Sequence, residues 1–419
     1  MKKFILNFIL KVLNISVQRI LRAHKPYIIA VTGSVGKTST KEAIYSVLND
    51  HFKGMVRASA GNLNNEMGVM LSILGHDMLP GKFTWPFFLV KTYLQTIKKS
   101  YPAYLVLELG IDKPGDMTFF SKVISPDLVV ITSVGGAHLH NFKSLDAYQA
   151  EKLLLVEIVK PGGKAIFNFD DPRLAQIKTN NAITVGIING KADYHIENYR
   201  VDPAGTSYRI LTLGQKISIK TKLIGKQSVY SQLFAFAVGL ELGIRFPEIK
   251  KSLEKMSSVN GRMKMLQGIN KIAIIDDTYN SNPLSARMAI DTLNELDYPG
   301  RRVAILGSMN ELGAVSEREH VAIGCYARNK ADLAIFVGEN ASLMAKGFND
   351  PTRSKIFDSR SSFLQSIGFL VNEGDLVLIK ASQDGNYFEE ISKALLEDKS
   401  LSNKVLVRQD NYWLRKKQI

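Results

Sequence analysis

Residues 27–40 constrain the fold more than any other stretch, because the apolar run YIIAVT passes through a glycine-containing turn directly into a helical pattern. Gly33 and Gly36 allow tight backbone angles and a close approach of phosphate oxygens. Backbone N–H groups at the start of the helix form an anion site. Lys37 supplies a cation for the β- and γ-phosphates and the Thr38 hydroxyl a ligand for Mg²⁺. The pattern GxxGK[ST] therefore predicts a strand, a phosphate loop and a helix that together bind ATP, although Val31 stands where the longer form of the motif has glycine.

Short apolar runs alternate with helical segments along the rest of the chain. Buried strands separated by helices are typical of a mostly parallel sheet covered on both faces, so the fold class is α/β. The predicted strands are 27–32, 104–109, 128–132, 164–168, 271–276, 302–307, 333–338 and 376–381. The predicted helices are 37–48, 144–160, 227–243, 246–256, 283–296, 317–329, 340–347 and 361–370. Gly214 lies between two alternating runs and predicts a hairpin.

These segments divide into a central domain that holds the phosphate loop, 26–258, and a C-terminal, Rossmann-like doubly wound domain, 259–419. Residues 1–25 form a separate N-terminal amphipathic helix. The chain has 419 residues and a net charge of +15, which favours acidic partners or serves solubility alone. No nucleic-acid motif accompanies this charge, so no nucleic-acid partner is expected. The single cysteine, Cys325, fits a reducing cytosol and is expected to be buried.

The N-terminal segment 4–21 is apolar but interrupted by polar residues, which makes it a poor transmembrane span. On a helix most polar side chains of residues 1–25 fall within an arc of roughly 100°, and within 4–21 Ser16 and Arg19 are the exceptions. The side chains within the arc are Lys3, Asn7, Lys11, Asn14, Gln18, Arg22 and Lys25. Such a narrow cationic stripe favours a helix lying on an anionic membrane surface, and the alternative is a helix packed on this protein or on a partner. A cytoplasmic location is expected, with peripheral attachment to the inner face of the cytoplasmic membrane.

The stretch TGSVGKTSTKE (32–42) resembles the ATP loop of the Mur ligase family. Further stretches follow in the same order as in that family and extend the resemblance over residues 27–397. They are GNLNNEMGV (61–69), LVLELGIDKPGDM (105–117), ITSVGGAHLHNFKSLDAYQAEK (131–152), NFDDP (168–172), GRM (261–263), DDTYNSNPLSA (276–286), GSMNELG (307–313) and IKAS (379–382). The similarity is greatest to the branch that adds D-alanyl-D-alanine to a muramoyl tripeptide.

The resemblance implies a set of catalytic and metal-binding residues. Thr38 and Glu108 are expected to hold a Mg²⁺ ion, and His138 and Lys152 a second one, with Lys152 carbamylated. Arg262 is expected on the ATP phosphates, and Asp277 and Asn280 near the nucleotide. The remaining expected nucleotide contacts are Gly33, Ser34, Gly36, Lys37 and Ser39. From the residues alone, the alternative for Glu108 and Lys152 is a surface charge, and the alternative for Asn280 and Asn282 is a role in the turn.

The substrate side is implied by the same resemblance. The expected substrate residues are Asn62, Asn64, Asn65, Asn282, Glu311, Lys380 and Ser382. The chain departs from the family where Ser228 and Ser231 replace asparagines that contact adenine. It departs again at Ser308, Ala381 and Gln383, which leaves the incoming amine as either an amino acid or a dipeptide.

The expected activity is ATP-dependent amide-bond formation through an acyl phosphate, on a peptidoglycan precursor or another carboxylate acceptor. Only 32 residues precede Gly33, where the branch carries a UDP-binding domain, so that domain is expected to be missing. This leaves a poly-γ-glutamate or folylpolyglutamate type of ligase as an alternative. An alternative from another class is a nucleotide-binding scaffold with the same fold.

Overall fold

The structure is a computed structural model that describes residues 2–61, 63–81, 84–96, 100–135, 141–177, 179, 181–212, 214–383 and 385–417. Two open sheets with helices on their faces form its framework. The predicted α/β class, with a central and a doubly wound C-terminal sheet, is confirmed.

The first sheet contains the phosphate loop. Its strands are β1 (Tyr27–Thr32), β2 (Val56–Ala58), β3 (Tyr104–Glu108), β4 (Leu128–Ile131), β5 (Lys164–Asn168), β6 (Ala182–Gly186), β7 (Tyr194–Asp202), β8 (Gly205–Thr212) and β9 (Gln215–Thr221). Their order is β2-β3-β1-β4-β5-β6-β7-β8-β9. Strands β1 to β7 pair in parallel, and β7, β8 and β9 pair antiparallel, which confirms the hairpin at Gly214. Strand β1 is therefore central, with β3 and β4 on either side.

Helices cover both faces of this sheet. They are α1 (Lys2–His24), α2 (Lys37–His51), α3 (Glu66–Leu74), α4 (Trp85–Gln95), α5 (Asp116–Val123), α6 (Leu145–Glu157), α7 (Lys226–Glu241) and α8 (Phe246–Lys255). Ile28 and Ala30 of β1 pack towards α1, α3, α5 and α6, whereas Ile29 and Val31 pack towards α2, α7 and α8. Because both faces of β1 are buried, its sequence is apolar throughout rather than alternating.

The second sheet has strands β10 (Lys264–Gln267), β11 (Ala273–Asp277), β12 (Arg302–Gly307), β13 (Leu333–Val337), β14 (Ser354–Phe357) and β15 (Leu376–Lys380). Their order is β10-β11-β15-β12-β13-β14, all parallel except β10. Its helices are α9 (Pro283–Glu295), α10 (Ser316–Ala327), α11 (Ala341–Phe348), α12 (Arg360–Leu370), α13 (Glu389–Leu395), α14 (Ser402–Val405) and α15 (Asn411–Lys417). The first sheet ends at Thr221 and the second begins at Lys264, on either side of the predicted boundary at 259.

Helix α1 forms where the sequence predicts it and ends before Pro26. By length and composition alone it would suffice to cross a membrane. Instead, one face packs on α3, α4 and α5, with Leu13 and Val17 fully buried in the core of the first domain. For this face, the alternative of packing on the protein itself is the correct one. The opposite face, including Phe4 and Phe8, remains exposed.

The expectation of a buried Cys325 is wrong. Its side chain is exposed on α10, because the buried face of that helix is formed by His320, Ile323, Gly324 and Ala327.

Candidate functional site

The phosphate loop connects the central strand β1 to α2. Gly33 has a φ of 148°, and a Cβ atom there would lie 1.9 Å from Oγ1 of Thr132 on the neighbouring strand's end. Gly36 has a φ of 84° and immediately precedes α2. No other residue type fits at Gly33 without displacing the loop, because both the backbone angle and the space require the absence of a side chain. The loop's N–H groups are thereby held at the N-terminus of α2, the end that attracts anions.

Lys37 follows this turn and its Nζ donates to the carbonyl oxygen of Gly33 at 2.7 Å. The ammonium group therefore lies over the loop. Burial lowers the pKa of Lys37, and the nearby cations Lys152 and Arg262 act in the same direction, whereas Tyr148 and Glu108 oppose them. A bound polyphosphate would reverse this balance by supplying negative charge.

Glu108 ends β3, directly beside Val31 of β1 in the parallel register. Its Oε1 accepts from Oγ1 of Thr38 at 3.3 Å and from Nδ2 of Asn64 at 2.9 Å. Its Oε2 is buried and has no hydrogen-bond partner. A buried carboxylate oxygen left without a donor, beside a threonine hydroxyl, fits a hard divalent cation such as Mg²⁺. No cluster of three or more His, Cys, Asp or Glu side chains arranged to hold a metal occurs in the described part of the chain.

Lys152 lies on α6 and is fully buried. Its Nζ has no hydrogen-bond partner and lies 4.4 Å from the ring centroid of Tyr148. Burial lowers the pKa of Lys152 to about 7, opposed only by Asp112. A partnerless buried amine that is substantially neutral at pH 7 has the chemical form that adds CO₂ to give a carbamate.

The second domain contributes an opposing set of charges. The Arg262 guanidinium stacks 4.0 Å from the ring centroid of Tyr279, with its Nε buried and unpartnered. Lys380 Nζ forms a buried ion pair with Oδ2 of Asp277 at 2.5 Å and also donates to the carbonyl oxygen of Asn280 at 2.9 Å. Burial lowers the pKa of Lys380, which the Asp277 carboxylate counteracts.

Except for the buried Lys152, these two sets face each other across a cavity of about 320 Å³ between the domains. Asn282 contacts the phosphate loop directly, since its Nδ2 lies 3.4 Å from the carbonyl oxygen of Ser34. Most of the predicted site residues line this cavity. They are Ser34, Gly36, Lys37, Thr38, Ser39, Asn64, Asn65, Glu108, Arg262, Asp277, Asn280, Asn282, Glu311 and Lys380. The tertiary structure therefore brings together residues separated by more than 300 positions.

Other predicted site residues lie elsewhere. Ser382 is buried, accepts from the N–H of Asn310 at 2.9 Å and donates to the carbonyl oxygen of Ser281 at 2.8 Å, so it supports the wall instead of lining it. Its predicted substrate contact has no support from this position. Asn62 and His138 lie outside the described residues.

Asn65 and Asn282 also have structural tasks. The side chain of Asn65 accepts from the N–H of Gly68 at 2.8 Å and caps α3, and that of Asn282 caps α9. Asn282 therefore has the structural role that was its alternative interpretation, and it also lines the cavity.

A second cavity, of about 440 Å³, lies on the other side of the loop, between α7 and α9. Ser231, one of the two serines that depart from the family pattern, lines it. Its hydroxyl donates to the carbonyl oxygen of Gln227 at 3.1 Å, and that of Ser228 donates to the carbonyl oxygen of Ile224 at 2.8 Å. Ser231 therefore bonds within α7, and Ser228 bonds to the segment just before that helix.

Sequence reasoning missed two residues that shape the site. Tyr279 lies in a quoted motif, and its aromatic character was the available signal for the stacking with Arg262. Arg408 donates to the carbonyl oxygens of Thr278 at 2.6 Å and Tyr279 at 3.1 Å. No local signal identifies it, because its partners lie about 130 residues earlier in the chain.

Comparison with known proteins identifies the family of both domains. Residues 31–239 match the Mur ligase middle domain, and residues 261–383 match the Mur ligase, glutamate ligase domain. A UDP-N-acetylmuramoyl-tripeptide--D-alanyl-D-alanine ligase of Buchnera aphidicola is 31% identical, over 90% of this chain and 78% of that protein. The protein of the same name from Bacillus subtilis is 28% identical, over 88% of this chain and 76% of its own length.

Solved structures give the same picture of the fold. MurF from Acinetobacter baumannii has a TM-score of 0.79 at 25% identity, over 93% of this chain and 81% of that one. MurF from Thermotoga maritima, in complex with ADP, has a TM-score of 0.78 at 23% identity, over 94% of this chain and 84% of that one. A Mycobacterium tuberculosis folylpolyglutamate synthase has a TM-score of 0.62 at 13% identity, over 88% of this chain and 92% of that one. The last two are similarities of fold alone.

Proposed function

The chain belongs to the Mur ligase family, and on that premise we propose that it joins D-alanyl-D-alanine to a muramoyl tripeptide at the expense of ATP, in peptidoglycan synthesis. One observation carries the proposal. Lys37 and Glu108 of the first domain and Arg262 of the second line one cavity, which is the arrangement that phosphoryl transfer from ATP to a carboxylate needs. The identities of the proposed acceptor and amine come from the names of the relatives.

The reaction begins with the acceptor. An oxygen of its terminal carboxylate attacks the γ-phosphorus of ATP, the bond to the β-phosphate oxygen breaks, and ADP leaves. Lys37 and the loop N–H groups neutralise the phosphate charge, and Arg262 approaches the same phosphates from the other domain. Positioning and electrostatics account for most of this step, because the protein forms no covalent bond.

The resulting acyl phosphate reacts with the incoming amine. The amine nitrogen attacks the acyl carbon to give a tetrahedral intermediate. The bond between that carbon and the phosphate oxygen then breaks, inorganic phosphate leaves with the oxygen and the electron pair, and the amine's proton goes to solvent or phosphate. Enclosure between the two domains protects the acyl phosphate from water. We propose that Asn64 and Asn65 contact the acceptor and that the Glu311 carboxylate orients the ammonium of the incoming dipeptide, because these residues line opposite walls.

Thr38 and Glu108 would hold one Mg²⁺ ion, for which the partnerless Oε2 of Glu108 is suited. There the ion would supply positive charge to the phosphates of ATP. We propose a second ion beside Lys152, with His138 completing its ligands. Addition of CO₂ to the neutral Nζ of Lys152 forms a C–N bond and releases a proton, which converts a buried neutral amine into an anion suited to that ion.

We also propose that the enzyme works at the inner face of the cytoplasmic membrane, attached through residues 1–25. The exposed Phe4 and Phe8 support this location. Removing residues 1–25 would also take Leu13 and Val17 out of the core of the first domain, so substitution is the cleaner test. Phe4→Glu with Phe8→Glu should weaken binding to anionic vesicles; unchanged binding would remove the membrane role of α1.

Mass spectrometry of the products tests the ligase proposal directly. The purified chain is incubated with ATP, Mg²⁺, D-alanyl-D-alanine and UDP-MurNAc tripeptide. The expected product has the mass of tripeptide and dipeptide joined with loss of one water, together with an equal amount of ADP. Extension of a glutamate or folate acceptor instead would favour the polyglutamate type of ligase, and the absence of acceptor-dependent ADP release would favour a scaffold.

A further inference from the structure

Helix α1 presents an exposed ridge on the side away from the protein. Phe4, Phe8 and Ile15 are 78%, 57% and 47% exposed. At 100° per residue these three side chains fall within an arc of roughly 40°, opposite Leu13 and Val17. A folded domain seldom leaves aromatic side chains so exposed along one line without a partner.

Helix α4 presents a second ridge of the same kind. Phe87, Val90 and Leu94 are 82%, 62% and 59% exposed. They fall within an arc of roughly 60° on the helix. Trp85 and Phe88, on the other side of α4, pack against the core of the first domain. Helix α4 is therefore anchored by one face and exposes the other.

The two ridges belong to one surface. Helix α1 packs on α4, and the Arg19 guanidinium lies 4.5 Å from the ring centroid of Tyr93 and is hydrogen-bonded to its hydroxyl. Arg19 and Tyr93 are themselves exposed, so they lie at the level of the surface. We call this surface the α1–α4 face and define it by Phe4, Phe8, Ile15, Phe87, Val90 and Leu94.

The charges on this face have one sign. Residues 1–41 and 78–107 contain no aspartate or glutamate. Exposed cations accompany the apolar ridges, namely Lys11, Arg19, Arg22 and Lys91. Apolar side chains combined with cations and no acidic group on either helix match the interface of an anionic bilayer, where the former enter the acyl boundary and the latter meet phosphates.

We propose that the α1–α4 face docks on an anionic phospholipid surface, with both helices lying in its plane. The proposal extends the membrane location proposed above, on which it rests, and is independent of the ligase chemistry. The complete burial of Leu13 and Val17 ties α1 to the domain and opposes a spanning orientation. A symmetric contact between two copies would bring the cations of the face against one another, which disfavours self-association.

Docking would also fix the position of the cavity between the domains relative to the membrane. Helix α1 packs on α3, and Asn65, which caps α3, lines the catalytic cavity. Helices α1 and α3 would thus separate the membrane from the wall assigned to the acceptor.

Vesicle co-sedimentation of the full chain tests the proposal, with phosphatidylcholine vesicles and with the same vesicles containing phosphatidylglycerol. The chain should bind the anionic vesicles, and added salt should weaken binding. Phe87→Glu with Val90→Glu should lower the bound fraction at least about ten-fold, because two side chains lose their apolar contact with lipid. Phe369→Glu is the matched control, since Phe369 is 88% exposed on α12 of the other domain, and should bind as the unaltered chain does.

The outcomes separate the proposals. If the α4 double variant binds vesicles as the unaltered chain does, while the Phe4→Glu/Phe8→Glu variant loses binding, docking is confined to α1 and the shared face is overturned. A dimer in sedimentation velocity that the α4 variant dissociates would assign the face to a second copy and equally overturn it. Acceptor-dependent ADP release, measured without vesicles, should be the same in all variants, so a failure of the ligase proposal shows separately.

Discussion

Arg408 and Glu389 form a buried bidentate ion pair, with 3.0 Å between Nε and Oε1 and 2.8 Å between Nη2 and Oε2. The same guanidinium holds the carbonyl oxygens of Thr278 and Tyr279, and the Tyr279 ring lies under Arg262. Lys417 also pairs with Glu389, at 2.9 Å. The C-terminal segment thereby fixes the turn at Tyr279, which lines the cavity.

Arg408→Lys should raise the KM for ATP about ten-fold, because a lysine cannot hold the carboxylate and both carbonyl oxygens at once. Steady-state kinetics with varied ATP measure the change. Arg328→Lys is the control, since Arg328 also donates to two carbonyl oxygens, those of Gly347 and Phe348, but away from the cavity. An equal KM change in both variants would mean that Arg408 acts through general stability only.

Lys37→Ala should reduce acceptor-dependent ADP release by at least about 100-fold, because one preorganised cation is lost from the transferring phosphate. A coupled ADP assay measures the rate. Lys53→Ala, just beyond the other end of α2, removes an exposed charge of the same sign and should leave the rate unchanged. Undiminished release from the Lys37 variant would contradict the assigned role of the loop.

Lys152 should carry a carbamate when the protein is equilibrated with ¹³C-labelled bicarbonate. The lowered pKa of about 7 leaves a large neutral fraction at pH 7, and only the neutral amine reacts with CO₂. Carbon NMR should show a carbamate resonance in the unaltered chain and none in Lys152→Met. A resonance of equal intensity in both proteins would place the modification on another amine.

His320 should make stability fall on acidification. Its Nε2 accepts from the N–H of Met309 at 2.9 Å and its ring also contacts the carbonyl oxygen of Ser316 at 2.7 Å, an arrangement that needs the neutral ring. Burial lowers the pKa of His320 below its usual 6.5. The unfolded chain then binds more protons than the folded one, so this contribution is complete above about pH 6.5 and is lost as the pH falls below it.

The difference in the free energy of unfolding between pH 7.5 and pH 5.5, from urea titrations, measures this effect. It should be smaller in His320→Gln than in the unaltered chain, because glutamine does not titrate. Equal differences in the two proteins would exclude His320 as the source.

Gly33→Ala should destabilise the fold by about 2 kcal/mol or more and abolish nucleotide binding, because the added methyl would collide with Thr132. Thermal unfolding and ADP titration measure both effects. Gly54→Ala is the control, since Gly54 also has a positive φ, 74°, but nothing within 4 Å of an added Cβ. It should cost only about 1 kcal/mol of backbone strain.

The predicted strands and helices in both domains agree with the structure to within a few residues. Strand 27–32 and helix 283–296 illustrate why: each has a strong apolar pattern and a clear end signal, Gly33 in one case and the capping Asn282 in the other. The strands β2, β6, β7, β10 and β14 and the helices α3, α4, α5, α13, α14 and α15 escaped prediction. Their conformations depend on pairing or packing with distant segments, and their local patterns are weak.

The phosphate loop, the alternation of strands and helices, and the candidate ligands Thr38 and Glu108 follow from the sequence alone, because each rests on neighbouring residues or on strand ends. Only the tertiary structure showed that Ser382 supports the wall, that Arg408 holds the turn at Tyr279, and that α1 buries one face while exposing another. These properties depend on which distant surfaces meet, and a local pattern carries no information about its partner.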